Sequence, residues 1–207
     1  SAADANLEIS CWSATNTHGA ILKLQKSGSA TINTLGCTET NETLGSIEAW
    51  GVLSDDSAVI RAASINFEGD GNVDSDSHPG RIIFKTSDAD DAGDPTERMR
   101  IDDAGNVGIA STPHASWHAS ENVLQLENAS FAKYDGNGTD FDIMNNVYYD
   151  GAYKSIANAA LSRINVGGGV ITFYTGAAPG SADAAYGAVA RMVLDNNSQI
   201  SLSNNDG

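Results

Sequence analysis

Cysteine is scarce: only Cys11 and Cys37 occur in 207 residues. That excludes a disulfide framework. One bridge between neighbouring strands remains open, and reduced, buried thiols are the expectation. Basic residues are scarce too, 11 against 27 acidic, for a net charge of −16. Such a surface repels a polyanionic duplex, so nucleic acid is not expected as a partner. Anionic membrane surfaces are disfavoured for the same reason. No apolar run approaches the ~18 residues of a membrane span, so no membrane insertion is expected. The start, Ser1-Ala2-Ala3-Asp4-Ala5-Asn6, lacks the basic and apolar regions of a signal peptide and an initiating Met. It reads as a piece of a longer protein.

Large apolar residues are also thin on the ground. Of the 41% hydrophobic residues, 29 are Ala. A core drawn from the rest suits thin β-layers better than a thick globule. Gly, Asn, Asp, Ser and Thr punctuate the chain at short intervals, the pattern of many short strands joined by turns. Helical spacing is weak. Tyr153 to Ile164 and the Ala-rich run Ala182 to Ala190 are the best helix candidates, yet neither has a clean N-cap with a sustained apolar stripe, and both read equally as strands or loops. Strand signals are stronger at Ala20–Gln25, Ala62–Phe67, Arg81–Thr86, Val123–Glu127 and Gly169–Thr175.

An internal repeat organises the chain. Arg98-Met-Arg-Ile-Asp-Asp-Ala-Gly-Asn-Val-Gly-Ile109 is echoed by Arg191-Met-Val-Leu-Asp-Asn-Asn-Ser-Gln-Ile-Ser-Leu202, at an offset of 93. Each copy reads as a hairpin: strand, Asp-led turn, returning strand. Gly105 can supply a positive φ in the first turn. Upstream, Ile83-Phe-Lys-Thr86 matches Thr172-Phe-Tyr-Thr175 at an offset of 89, so the second copy has a loop four residues longer. Leu22-Lys-Leu24 resembles Leu124-Gln-Leu126 in the same way. The expectation is two related modules, 1–112 and 113–207, with Pro113 at the junction.

The run Pro95-Thr-Glu-Arg-Met-Arg-Ile-Asp-Asp-Ala-Gly-Asn-Val-Gly-Ile109 closely resembles a recurrent segment of bacteriophage tail fibre proteins, many of which carry an endosialidase-type intramolecular chaperone downstream. Leu44–Gly51, Ala62–Ile65 and Pro79–Thr86 fit the same module in the same order. Asn145–Gly151 and Gly168–Thr175 look like a second module of those proteins. The resemblance implies an all-β homotrimeric fibre segment, here two small β-sandwich or β-prism modules each ending in a β-hairpin. It implies residence in the virion tail after synthesis in the bacterial host cytoplasm. Its partners would be other virion tail proteins and a host surface polysaccharide or receptor. It also implies a chaperone released by self-cleavage, and nothing chaperone-like stands in these 207 residues. An isolated β-module with so few large apolar residues is marginal, and three copies around an axis can bury a shared face and cover sheet edges.

Candidate sites were sought on chemistry. Asp70, Asn72, Asp74 and Asp76 alternate like calcium ligands. The sixth position is Ser75 and the twelfth Arg81, so the loop is not an EF-hand, and an acidic surface loop is the simpler expectation. Asp88 to Asp94 reads the same way. His114 and His118 have metal-ligand spacing for a helix face but sit in a linker, where solvated side chains are expected. No Gly-x-Ser-x-Gly elbow, phosphate loop or activated cysteine is present, so no catalytic residue and no cofactor is assigned. The ligand candidates are aromatic: Trp50, Trp117, Tyr148, Tyr149 and Tyr153, with Trp12 beside them. Their faces can stack on sugar rings, or they can pack in a core or an interface. Alternation along a strand sends Tyr148 and Tyr149 to opposite faces. The leading function is structural display and host attachment. A tailspike-like polysaccharide-degrading enzyme, a capsid fibre or decoration protein, and an injection-system fibre are the alternatives.

Overall fold

A computed structural model describes residues 7–55, 57–91, 93–134, 140–197 and 199–202. Those residues contain strands and no helix. In chain order the strands are β1 (Thr43–Val52), β2 (Val59–Gly69), β3 (Gly80–Thr86), β4 (Thr96–Ile101), β5 (Val107–Ile109), β6 (Glu121–Leu126), β7 (Ala129–Tyr134), β8 (Phe141–Asn145), β9 (Val147–Tyr149), β10 (Tyr153–Ser155), β11 (Leu161–Gly167), β12 (Val170–Gly176), β13 (Val189–Leu194) and β14 (Ile200–Leu202). Twelve of them form one sheet in the order β1-β2-β3-β4-β5-β6-β7-β8-β11-β12-β13-β14, and β9 and β10 form a separate ribbon. Neighbours are antiparallel except β5 and β6, which pair in parallel where the first half meets the second. The two expected modules therefore share one sheet, and their division at 112/113 rests on the repeat.

The repeated hairpins explain why their residues coincide. Met-Arg-Ile ends β4 and Val-Gly-Ile forms β5. In the turn, the Asn106 amide donates to Asp102 Oδ1 at 2.7 Å. The Gln199 amide donates to Asp195 Oδ1 at 3.0 Å in the second copy. The backbone pairs match too, Asp102 N–H to Asn106 C=O at 3.0 Å and Asp195 N–H to Gln199 C=O at 3.2 Å. An aspartate that binds amides of its own turn fixes the reversal without distant contacts. Gly105 has φ 83°, as its place in the turn requires. The likeness reaches the ladder. Phe84 pairs with Met99 and Lys85 with Glu97, leaving Arg98 in a bulge. Phe173 pairs with Met192 and Tyr174 with Ala190, leaving Arg191 in the same bulge. Both bulged guanidinium groups donate through Nε to a threonine hydroxyl on the preceding strand, Arg98 to Thr86 at 3.2 Å and Arg191 to Thr175 at 3.0 Å.

The register also sorts side chains between the two faces. Phe67, Ile82, Ile101, Val107, Leu124, Phe131, Ile143, Ile164, Phe173, Met192 and Leu202 stand opposite one another, strand to strand, from β2 to β14. They make one apolar row across eleven strands, and none of the eleven is buried. The core lies on the other face, under the second half: Trp117, Val123, Ala132, Met144, Val147, Tyr148 and Leu161. Under the first half that face is mostly polar, with Ser64, Asn66 and Glu68 buried and Ile83 buried opposite Asn66.

Several expectations are corrected. Ala20–Gln25 joins no ladder: alternation shows what a strand would bury, but a ladder needs a neighbour. Tyr153–Ile164 and Ala182–Ala190, open between helix and strand or loop, take the second reading: the first is the short strand β10, a run of bends, then β11, and the second is loop leading into β13. Gly168 and Gly169, with φ 60° and 78°, make the two-residue hairpin turn between β11 and β12. Cys11 and Cys37 are free and exposed rather than buried, because both lie in the unpaired stretch ahead of β1.

If the two turns are equivalent devices, Asp102→Ala and Asp195→Ala each cost about 1 kcal/mol, the usual worth of such a bond. Chemical denaturation of the two single variants checks this.

Candidate functional site

The second half carries the densest cluster of polar and aromatic groups. Alternation on β8 puts Asp142 in phase with Met144, and on β11 it puts Arg163 in phase with Leu161, so both charges face the covered side. Arg163 Nε donates to Asp142 Oδ1 at 2.8 Å. Asn165 Nδ2 donates to the same oxygen at 2.9 Å, and the Tyr153 hydroxyl donates to Oδ2 at 2.8 Å. Three donors offset the cost of taking the carboxylate out of water. The guanidinium lies over Tyr153, 3.9 Å from the ring centroid, and 4.8 Å from the Tyr174 centroid. A cation between ring faces gains from both quadrupoles. Tyr149 and Tyr186 extend the cluster, their centroids 4.9 and 5.5 Å from that of Tyr153. Burial first, then the Asp142 charge, raises the Tyr153 hydroxyl. Burial pushes Tyr186 up to about 12, and its hydroxyl has no partner among the described residues. Glu121, half-buried at the start of β6, is pushed up to about 7, by burial first and Asp142 second.

The five aromatic candidates fall into three places. Trp117 and Tyr148 are core residues. The Trp117 indole donates to Gln125 Oε1 at 2.9 Å, and the Tyr148 hydroxyl donates to Asp183 at 2.9 Å. Tyr148 also stacks with His114 at 4.0 Å. Burial, helped by Asp183, lifts the Tyr148 hydroxyl to about 12. Tyr149 and Tyr153 are half-buried around Arg163, so Tyr148 and Tyr149 do diverge. Trp50 stands apart on β1, 56% exposed, its indole donating to Glu48. Trp12 is exposed in the stretch before β1. His114 and His118 are half-buried rather than free in solvent: each lies against a tyrosine, Tyr148 and Tyr149 respectively.

The calcium candidates are spoken for in part. Asp70 accepts from Arg81 at 2.8 Å and from the Asp103 amide at 3.1 Å. Asp74 accepts the amides of Asp76 and Ser77, which hold its carboxyl down at about 2. Asn72 and Asp76 are exposed. Among the described residues no three His, Cys, Asp or Glu side chains gather closely enough to hold a metal ion.

Composition and motif search do not reach Asp142, Arg163, Tyr174, Tyr186 or Glu121. The signal was the charge in phase with buried Met144 and Leu161, legible only once the strands are set.

Two outcomes test this geometry. Asp142→Ala strands Arg163 and costs about 3 kcal/mol, the scale for breaking a buried pair. Glu121 acts in the opposite sense from a salt-bridged acid. Its carboxyl is raised on folding, so its contribution is complete below the ordinary glutamate range and is lost as pH rises through about 7. Denaturation midpoints should fall across pH 5 to 8 by the Glu121 contribution, and Glu121→Gln should flatten that part of the profile.

No family model and no curated protein matches this chain. Solved structures do. The carboxy-terminal domain of the bacteriophage T5 L-shaped tail fibre with its intramolecular chaperone domain aligns over 98% of this chain at TM-score 0.54 and 12% identity. The chain spans 63% of that structure's length. The carboxy-terminal domain of the same fibre aligns over 93% of this chain and 89% of its own, at TM-score 0.51 and 14% identity. At such identities the shared property is the fold, and the fold is that of a phage tail fibre domain, in accord with the resemblance read from Pro95–Ile109.

Proposed function

We propose that the chain is a structural segment of a viral tail fibre, three copies about a common axis, that contributes to attachment of the virion to its host. The observation that carries this reading is the uncovered apolar row on a fold shared with tail fibre domains. Full burial of a large apolar side chain is worth about 1.5–3 kcal/mol. Eleven half-exposed ones therefore leave on the order of 10 kcal/mol per protomer to be gained by covering them. Association costs a comparable amount, so burial of most of the row is needed for a stable particle. Around an axis each row meets two others, while the polar first-half face and the aromatic cluster turn outward. The charge of −16 per chain opposes assembly, so added salt should strengthen it.

Attachment is assigned to the outward surface, with Tyr149, Tyr153 and exposed Trp50 the residues offered to a host glycan. A catalytic role is not proposed. Asp142, the acid central to the cluster, already has three hydrogen-bond donors, Arg163 among them, which suits a fixed structural anion better than a proton carrier. The modules at 1–112 and 113–207 are proposed as successive beads of the fibre, on the strength of their matched hairpins.

Antibodies raised against the chain should decorate tail fibres of the virion in electron microscopy. Decoration of the capsid instead would move the protein to a capsid fibre and overturn the tail assignment. Phe131→Asp combined with Ile143→Asp should leave circular dichroism unchanged and split the assembly into monomers.

A further inference from the structure

Residues 20–25 alternate as a strand does, yet in the single chain they join no ladder. Leu22 and Leu24 nonetheless line a hollow with Leu44, Gly45, Ile47 and Phe67. A Cβ on Gly45 would stand 2.8 Å from Leu24, so the two segments are already in contact there. Lys26 pairs with Glu42 at 2.5 Å. These two contacts run the segment antiparallel to the start of β1. Two features remain unexplained. The outer edge of β1, ten residues long, has no strand beside it among the described residues, and an open edge of that length invites pairing. Ile21, on the side of the segment away from Leu22 and Leu24, is 78% exposed. Gly45 and Phe67 pair across β1 and β2 at the head of the apolar row, so the segment continues the face that the trimer reading covers with other copies.

We infer that residues 20–25 become a hydrogen-bonded strand only on assembly, held between the protomer's own β1 and a second copy of the chain, with Ile21 buried against that copy. This rests on the trimeric reading. A single sheet satisfies only one side of the segment, which explains why side-chain contacts form without a ladder. A second copy supplies the apolar cover for Ile21 that makes fixing the backbone favourable. The same closure removes the β1 edge from solvent.

Hydrogen exchange of the whole chain, read by mass spectrometry on samples of measured mass, tests it. In the wild-type assembly, amides of residues 20–25 should exchange at least about a hundredfold more slowly than in a free peptide. Ile21→Asp should abolish that protection and lower the denaturant midpoint for dissociation. Ile21→Val should keep both, and Leu35→Asp, an equally exposed site in the neighbouring loop, should behave as wild type. Free-peptide exchange in a sample of trimer mass overturns this inference and leaves the trimer standing. Protection that survives Ile21→Asp also overturns it, because the ladder then forms within one chain. A sample of monomer mass overturns both.

Discussion

A sheet one layer thick has two faces, and this chain covers part of one. The apolar row from Phe67 to Leu202 crosses eleven strands in unbroken register and none of its members is buried. The row exists because each strand keeps its phase with the next, including across the parallel step from β5 to β6. A slip of one residue at any strand would send its member to the other face. Sparse large side chains go with leaving that face open, and so does a fold shared with tail fibre domains.

The opposite face solves its burial problem internally: Ile83, Ser64, Asn66 and Glu68 are buried in the first half, and an apolar cluster in the second. There the crossing segment with Trp117, the β9–β10 ribbon and the loop before β13 close over the sheet. Arg163 and Asp142 sit at the join, and four tyrosines pack around them. The pair ties β8 to β11, strands adjacent in the sheet but separated in sequence by the ribbon. Glu121 beside it is raised by burial and by the Asp142 charge. The cluster is thus first a structural knot, and its outer rings are what remains for a ligand.

The legible parts of the sequence were the local ones. The turn aspartates Asp102 and Asp195 bind amides within four residues, so the hairpins show in the repeat alone. Strands β2, β3, β6 and β12 announced themselves by β-branched and apolar alternation. Ala20–Gln25 misled because periodicity carries no information about a neighbour. Helical spacing at Tyr153–Ile164 was coincidence across a strand, a bend and a strand. Trp117 and Tyr148 suited a sugar site by type and proved to be core, since residue type does not fix depth. Asp142 and Arg163 lie 21 residues apart and meet only through a ladder that skips two strands, so no spacing rule finds them.

The central claim is that the open apolar face demands partners of its own kind. Sedimentation equilibrium of the purified chain addresses it directly. The account predicts a single species of three times the 21.5 kDa chain mass, persisting on dilution and strengthened by salt. A folded, soluble monomer of 21.5 kDa with the same β circular dichroism would contradict it.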